Sequence, residues 1–374
     1  MELTQENVLK ALEKVDEPDL KRDIVSADLV SDLEIEGQKL RFQVQVKNPA
    51  MHARKRMEEA CDFAIERAFG KEVETEIKVK GIPQEERSEE QREVLPGVKN
   101  IVAIASGKGG VGKSTLTANL AVALAEKGYK VGLIDADIYG PSIPTMFDLQ
   151  EAKPNAKDVN GKQLIEPLEQ YGVKLLSIGF FADADQAIVW RGPMATKAVD
   201  QLFKDVDWGE LDHLLIDVPP GTGDIHLTLV QTAPLSGAVI ASTPQEVALS
   251  DAKKGVNMFR LDSVGVPVIG LVENMAYFTP EELPDNKYYI FGKDGAKRLS
   301  EQLNVPFLGE IPLVQSIREA GDVGRPAVLQ ENTPTAKAFD SLADAYLREL
   351  EERNQKQAPT QKVEVKQEYP SDQE

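Results

Sequence analysis

Ser106-Gly107-Lys108-Gly109-Gly110-Val111-Gly112-Lys113-Ser114-Thr115 is the stretch from which the rest of the chain can be read. It follows the apolar, β-branched run Ile101–Ala105 and leads into Leu116–Gly128, whose composition suits a helix. Strand, glycine-rich loop and helix in that order are the context a phosphate-binding loop requires. Glycines let the main chain wrap closely around phosphates with its N–H groups turned inward. The helix N-terminus adds the positive end of its dipole. Lys113 is expected to reach the β- and γ-phosphates of ATP, Ser114 to ligate Mg²⁺ and Thr115 to contact the α-phosphate. Simple packing has no use for so many glycines beside Lys-Ser-Thr.

Further parts of a nucleotide site lie downstream. Leu214–Asp217 is an apolar strand ending in an acid, which places Asp217 near the Mg²⁺ shell, acting through a water rather than directly. The glycine-rich turn Pro219-Pro220-Gly221-Thr222-Gly223-Asp224 follows, where a γ-phosphate sensor would sit. Asp135 and Asp137 end another strand-like run, Val131–Asp137, and Asp137 is the better placed to orient the attacking water.

Working outward, short β-branched runs (101–106, 131–137, 213–219, 237–243 and 267–274) are mostly separated by helix-like segments. Strands of that kind are buried on both faces, so residues 99–350 are expected to form an α/β domain with a mostly parallel sheet flanked by helices. Residues 1–82 read as a small α+β domain. Thr4 caps a helix carrying Val8, Leu9, Leu12 and Val15 that ends by Pro18, two strand-like runs turn at Gly37, a helix over residues 51–69 closes at Gly70, and an edge strand follows. Residues 83–98 form an acidic linker, and residues 351–374, poor in large apolar side chains, are expected to be a disordered tail.

The 374 residues carry 43 Lys plus Arg against 62 Asp plus Glu, a formal net charge of −19. Such acidity opposes sequence-independent nucleic-acid binding and docking on an anionic membrane. No run of about 18–20 apolar residues suits a bilayer span, and the polar N-terminus lacks the features of a signal peptide. The expectation is a cytoplasmic protein without nucleic-acid or membrane partners. One cysteine excludes an internal disulfide framework and any metal site built from several cysteines of one chain.

The phosphate loop, with its additional early lysine Lys108, resembles that of the deviant Walker A ATPases, the group of MinD, ParA and the nitrogenase iron protein. The resemblance implies a homodimer in which Lys108 reaches the partner's phosphates. Residues 134–144, 190–194 (Trp190 to Met194), 217–224 and 270–278 look like the Mrp/ApbC branch, and residues 15–30 resemble the small iron–sulfur-assembly domain that often precedes it. The branch implies a slow ATPase that carries iron–sulfur clusters to client apoproteins. Lys108, Lys113 and Asp137 would be its catalytic residues, residues 107–115 its phosphate cradle and Asn274 its adenine reader.

One departure stands out. The branch usually has a Cys-x-x-Cys pair after Asn274, and this chain has Thr279 and Glu282 there. The cofactors expected are ATP and Mg²⁺, while the usual thiolate ligands of a cluster are missing. Cys61 reads first as a buried structural thiol and alternatively as a transfer or redox thiol. His52, His213 and His226 are too scattered for a metal site. Two rival functions follow: an ATP-gated dimeric switch or adaptor without a cluster, and a MinD- or ParA-like positioning ATPase. The second fits poorly with the net charge and with a C-terminal helix that is acidic rather than basic.

Overall fold

The computed structural model describes residues 3–17, 22–46, 51–70, 72–81, 94–159, 161–181, 192–223, 226, 229, 232–261, 263–280, 282–283 and 286–357. Trp190, Arg191, Asp224 and the tail from residue 358 lie outside them. The chain divides into two compact units, residues 1–91 and 92–374.

In the first unit α1 (Gln5–Leu12) is capped by Thr4, whose hydroxyl accepts from the Asn7 amide. The helix stops at Leu12, short of the expected Pro18, because Glu13 closes it and the chain turns into a two-residue strand at Asp16–Glu17. Val15 still reaches the core, from outside the helix. Strands β1 (Val30–Glu36) and β2 (Lys39–Val46) form a hairpin turning at Gly37, whose φ of +63° favours glycine. The alternation in β2 buries Leu40, Phe42, Val44 and Val46. After α2 (Met51–Phe69), β3 (Glu74–Gly81) adds to β2 in parallel, and the sheet runs β1-β2-β3. Met57, Cys61 and Ile65, four residues apart along α2, form the stripe that meets this sheet's core.

The second unit begins earlier than expected. Leu95 is already buried in its core, and β4 spans Val98–Ser106, so the last linker residues belong to the fold. Then follow α3 (Lys113–Glu126), β5 (Val131–Asp135), α4 (Ile143–Met146), β6 (Leu168–Gln170), β7 (Val173–Ser177) and α5 (Gly192–Lys204). Next come β8 (Leu211–Asp217), β9 (Gly237–Ser242), α6 (Glu246–Arg260), β10 (Val268–Phe278) and α7 (Gly295–Leu303). The fold ends with β11 (Phe307–Leu313), α8 (Gln315–Asp322) and α9 (Pro334–Lys356). Among the described residues they build an eight-stranded sheet in the order β6-β7-β5-β8-β4-β9-β10-β11, parallel except for β6. β6, β7 and β11 were not anticipated, being short or interrupted by Gly and Pro.

The chain leaves β4 through α3 toward β5 on one side and leaves β9 through α6 toward β10 on the other. Right-handed crossovers therefore put α3 and α6 on opposite faces, and the strand order reverses around β4. Helix α3 is buried almost all round because α9 packs over it, so it reads as apolar rather than amphipathic. Residues 351–356 are the last turns of α9 and not tail: Leu350 is buried, and the Asn354 amide donates to Asn100 Oδ1 across 2.9 Å.

His213 lies within β8. Its ring packs edge-on to Tyr129 and shares a 3.2 Å hydrogen bond with the Tyr346 hydroxyl. Burial pushes its pKa down to about 4, so the folded ring refuses a proton that the unfolded chain accepts. Its contribution to stability is complete above about pH 6.5 and is lost as pH falls from there toward 4. Chemical denaturation at pH 7.5 and pH 5 should show a smaller drop in midpoint for His213→Gln than for the wild type.

Candidate active site

The carboxyl end of β4 delivers the phosphate loop. Ser106 ends the strand, and its hydroxyl donates to the Lys108 carbonyl across 2.9 Å. Gly110 and Gly112 both adopt φ of +79°, the left-handed conformation that favours glycine, and Gly112 caps α3 in that conformation. Gly107 is a close approach of a different kind: a Cβ there would fall 2.1 Å from the Asp251 carbonyl carbon of α6. Lys108 is half-buried and makes no ion pair among the described residues. Val111 is buried and anchors the loop's centre.

Lys113 opens α3 and is 5% exposed. Its ammonium pairs with Asp217 Oδ1 at 2.8 Å and with Asp137 Oδ2 at 3.4 Å. The Ser114 hydroxyl donates to Asp217 Oδ2 at 2.6 Å and the Thr117 hydroxyl to Asp217 Oδ1 at 2.9 Å. The sequence reading thus brings Lys113, Ser114, Asp137 and Asp217 into one cluster. Thr115 is half-buried on the first turn of α3, beside Ser114.

Register explains the convergence. In the parallel ladders Ser177 pairs with Asp135, and Asp135 with Asp217, so three neighbouring strands present polar ends in a row. Asp135 is fully buried and accepts from the Ser177 hydroxyl (2.9 Å) and from the amides of Asp137 and Ile143 (3.2 Å each). It therefore shapes the loop that carries Asp137. Burial, reinforced by the negative charge of Asp217, pushes its pKa up to about 7 against the opposing hydrogen bond from Ser177 and the Lys113 cation. Burial likewise raises Asp137, with Lys113 opposing.

Asn274 meets the loop, not open space. It is 7% exposed, and its amide donates to the Val111 carbonyl at 2.8 Å. This tie sits where β10 bulges, and the next residue, Met275, has φ of +54°, strained for a residue with a side chain. Thr279 is half-buried and Glu282 exposed beyond the strand. Nearby, Lys287 lies 3.7 Å over the Tyr277 ring. Among the described residues no three His, Cys, Asp or Glu side chains are arranged to hold a metal ion. Cys61 is wholly buried in the first unit, and burial pushes its pKa up to about 12.

Sequence reasoning missed Thr117 and Ser177 as partners of the two buried aspartates. A hydroxyl one turn beyond Lys113 in an otherwise apolar helix, and a serine ending a strand, were the signals.

Residues 97–347 match the family described as NUBPL iron-transfer P-loop NTPase, and residues 5–79 match the iron–sulfur cluster assembly protein family. An iron–sulfur cluster carrier protein of Synechocystis is 44% identical over 342 residues, 91% of this chain and 96% of that one. The mouse iron–sulfur cluster transfer protein NUBPL is 46% identical over 286 residues, covering 75% and 84% respectively. A nucleotide-binding protein of Archaeoglobus fulgidus, solved in complex with ADP, superposes with a TM-score of 0.56 at 39% identity, covering 66% of this chain and 93% of that one.

The two loop glycines test the packing argument. Gly107→Ala should destabilise the protein by about 1–3 kcal/mol, because the backbone of α6 cannot yield. At Gly109 the nearest atom to a Cβ is Pro220 Cγ at 3.9 Å, so Gly109→Ala should stay within about 0.5 kcal/mol of the wild type. Thermal unfolding without nucleotide distinguishes them.

Proposed function

Since the chain belongs to the NUBPL iron-transfer P-loop NTPase family, we propose that it hydrolyses ATP, slowly and as a homodimer, to drive delivery of iron–sulfur clusters to client apoproteins. The observation that carries the reading is the largely buried cluster of Lys113, Ser114, Thr117, Asp137 and Asp217 gathered at the carboxyl ends of β4, β5 and β8. The ADP complex of the Archaeoglobus relative supports a nucleotide as ligand.

In this reading the loop amides from Gly107 to Thr115 hold the phosphates, and the Lys113 ammonium leaves its carboxylate partners for the β- and γ-phosphates. Asp137, freed from Lys113, positions the attacking water. The Ser114 hydroxyl and the Asp217 carboxylate are hard oxygen donors that fit Mg²⁺ and would hold it, Ser114 as a ligand and Asp217 through a water. When bound, the ion offsets charge on the phosphates. Lys108, without an ion pair among the described residues, serves the partner subunit's nucleotide. Asn274 braces the loop through one amide N–H and has its second N–H for an adenine ring.

The cluster is cargo. Cys61, deeply buried and held as the thiol, is not its ligand. The thiolates come from outside this chain, from the client or a small thiol. That same thiol poverty favours a second reading, an ATP-gated adaptor that lends conformational change and holds no cluster.

Lys113→Ala should lose ATP hydrolysis to background in a phosphate-release assay, and activity surviving at wild-type level would refute the site. Lys108→Ala should bind ATP within a few-fold of wild type yet fail to dimerise on ATP addition in sedimentation velocity. Anaerobic reconstitution with iron, sulfide and a small thiol, quantified by absorption, separates the two functional readings. Equal iron in the wild type and Cys61→Ala supports the carrier, and no iron in either leaves the adaptor.

A further inference from the structure

The mechanism above makes no use of His226, which the sequence placed two residues beyond the glycine-rich turn. Its side chain is 3% exposed, and its Nε2 has no hydrogen-bond partner among the described residues. A buried polar atom left unpaired costs free energy, and one kept beside an active site calls for a reason. Burial, with help from the nearby Lys113 cation and against the opposing hydrogen bond to the Gly223 backbone, pushes the ring's pKa down to about 4 and holds it neutral. A neutral imidazole offers one donor and one acceptor nitrogen.

The location is informative. The His226 amide donates to the Gly223 carbonyl at 3.0 Å, and the Gly221 amide donates to the Ser106 carbonyl at 2.9 Å. Pro220 faces Gly109. The turn Pro219–Gly223 is therefore tied at its middle to the first residue of the phosphate loop and at its far end to His226. Any movement of the turn toward a phosphate held by Lys113 changes the surroundings of the His226 ring. Neither Gly221, with φ of +98°, nor Gly223 has any atom of the described residues within 4 Å of where a Cβ would stand, so that side of the turn is open.

We propose that His226 is a positioning residue for ATP hydrolysis, its Nε2 gaining a hydrogen-bond partner when the Pro219–Gly223 turn draws in on the γ-phosphate and so holding the turn's amides against it. The ring then reads the difference between ATP and ADP without touching the reacting atoms. This inference rests on the ATP reading of the phosphate loop.

The test uses the full-length protein with His226→Leu and His226→Gln. Leucine fills a similar volume without a polar atom, and glutamine restores a donor and an acceptor. With leucine, the melting temperature without nucleotide should equal or exceed that of the wild type, because the unpaired nitrogen is gone. Its kcat for ATP should fall about tenfold, while KM and ADP affinity stay within about twofold. Glutamine should recover most of kcat. A leucine variant with wild-type kcat overturns the proposal, as does one whose kcat, ADP affinity and melting temperature fall together, which is the mark of a packing role. A glutamine variant no better than leucine also overturns it. A wild-type protein that does not hydrolyse ATP overturns the phosphate-loop reading itself.

Discussion

One buried cation serves three buried or nearly buried carboxylates. Lys113 contacts Asp217 and Asp137, and its charge also acts on Asp135. A buried ion pair is weak support for a fold by itself, because desolvation opposes the Coulomb attraction. What keeps this one in place is the parallel sheet around it. The ladder sets Ser177, Asp135 and Asp217 side by side, and the loop after β4 sets Lys113 in front of them. The excess of negative charge is relieved by hydroxyl and amide donors from Ser114, Thr117, Ser177 and Ile143. In the proposed reading, a phosphate brought to the loop draws Lys113 away from Asp217 and Asp137, so that binding would carry a change in the carboxylates with it.

Most of this arrangement was legible in the sequence, for a physical reason. Residues 106–115 combine a conformational requirement, met by glycine, with a chemical one, met by Lys and Ser, and few other folds demand both. The acids at strand ends were legible for the same reason. The hydroxyls of Thr117 and Ser177 were harder to see, because their importance lies in register between strands distant in sequence. Boundaries followed the usual pattern of error. Proline at position 18 suggested a longer α1 than exists, and the polar composition after residue 350 hid two further turns of α9, which are held by contacts with β4 that no local pattern reveals.

Asn274 shows where residue identity and geometry part company. The family resemblance marks it as a reader of adenine, whereas the fold also makes it a tie between β10 and the phosphate loop. The strand that holds the loop continues through Met275, in its left-handed conformation, toward Thr279 and Glu282, where the family resemblance leads one to expect a cysteine pair. A change at Val111 therefore reaches Thr279 through one hydrogen bond and then five residues of main chain.

Cys61 has a consequence outside catalysis. A lone thiol, sealed in the core of the first unit and held well above neutral pH in its titration, offers neither a nucleophile to peroxide nor a surface sulfur to a second chain. The chain's one thiol is thereby withdrawn from the oxidation chemistry open to exposed cysteines. With its sulfur sealed in the core, the folded chain offers no thiol for a stray disulfide to another chain.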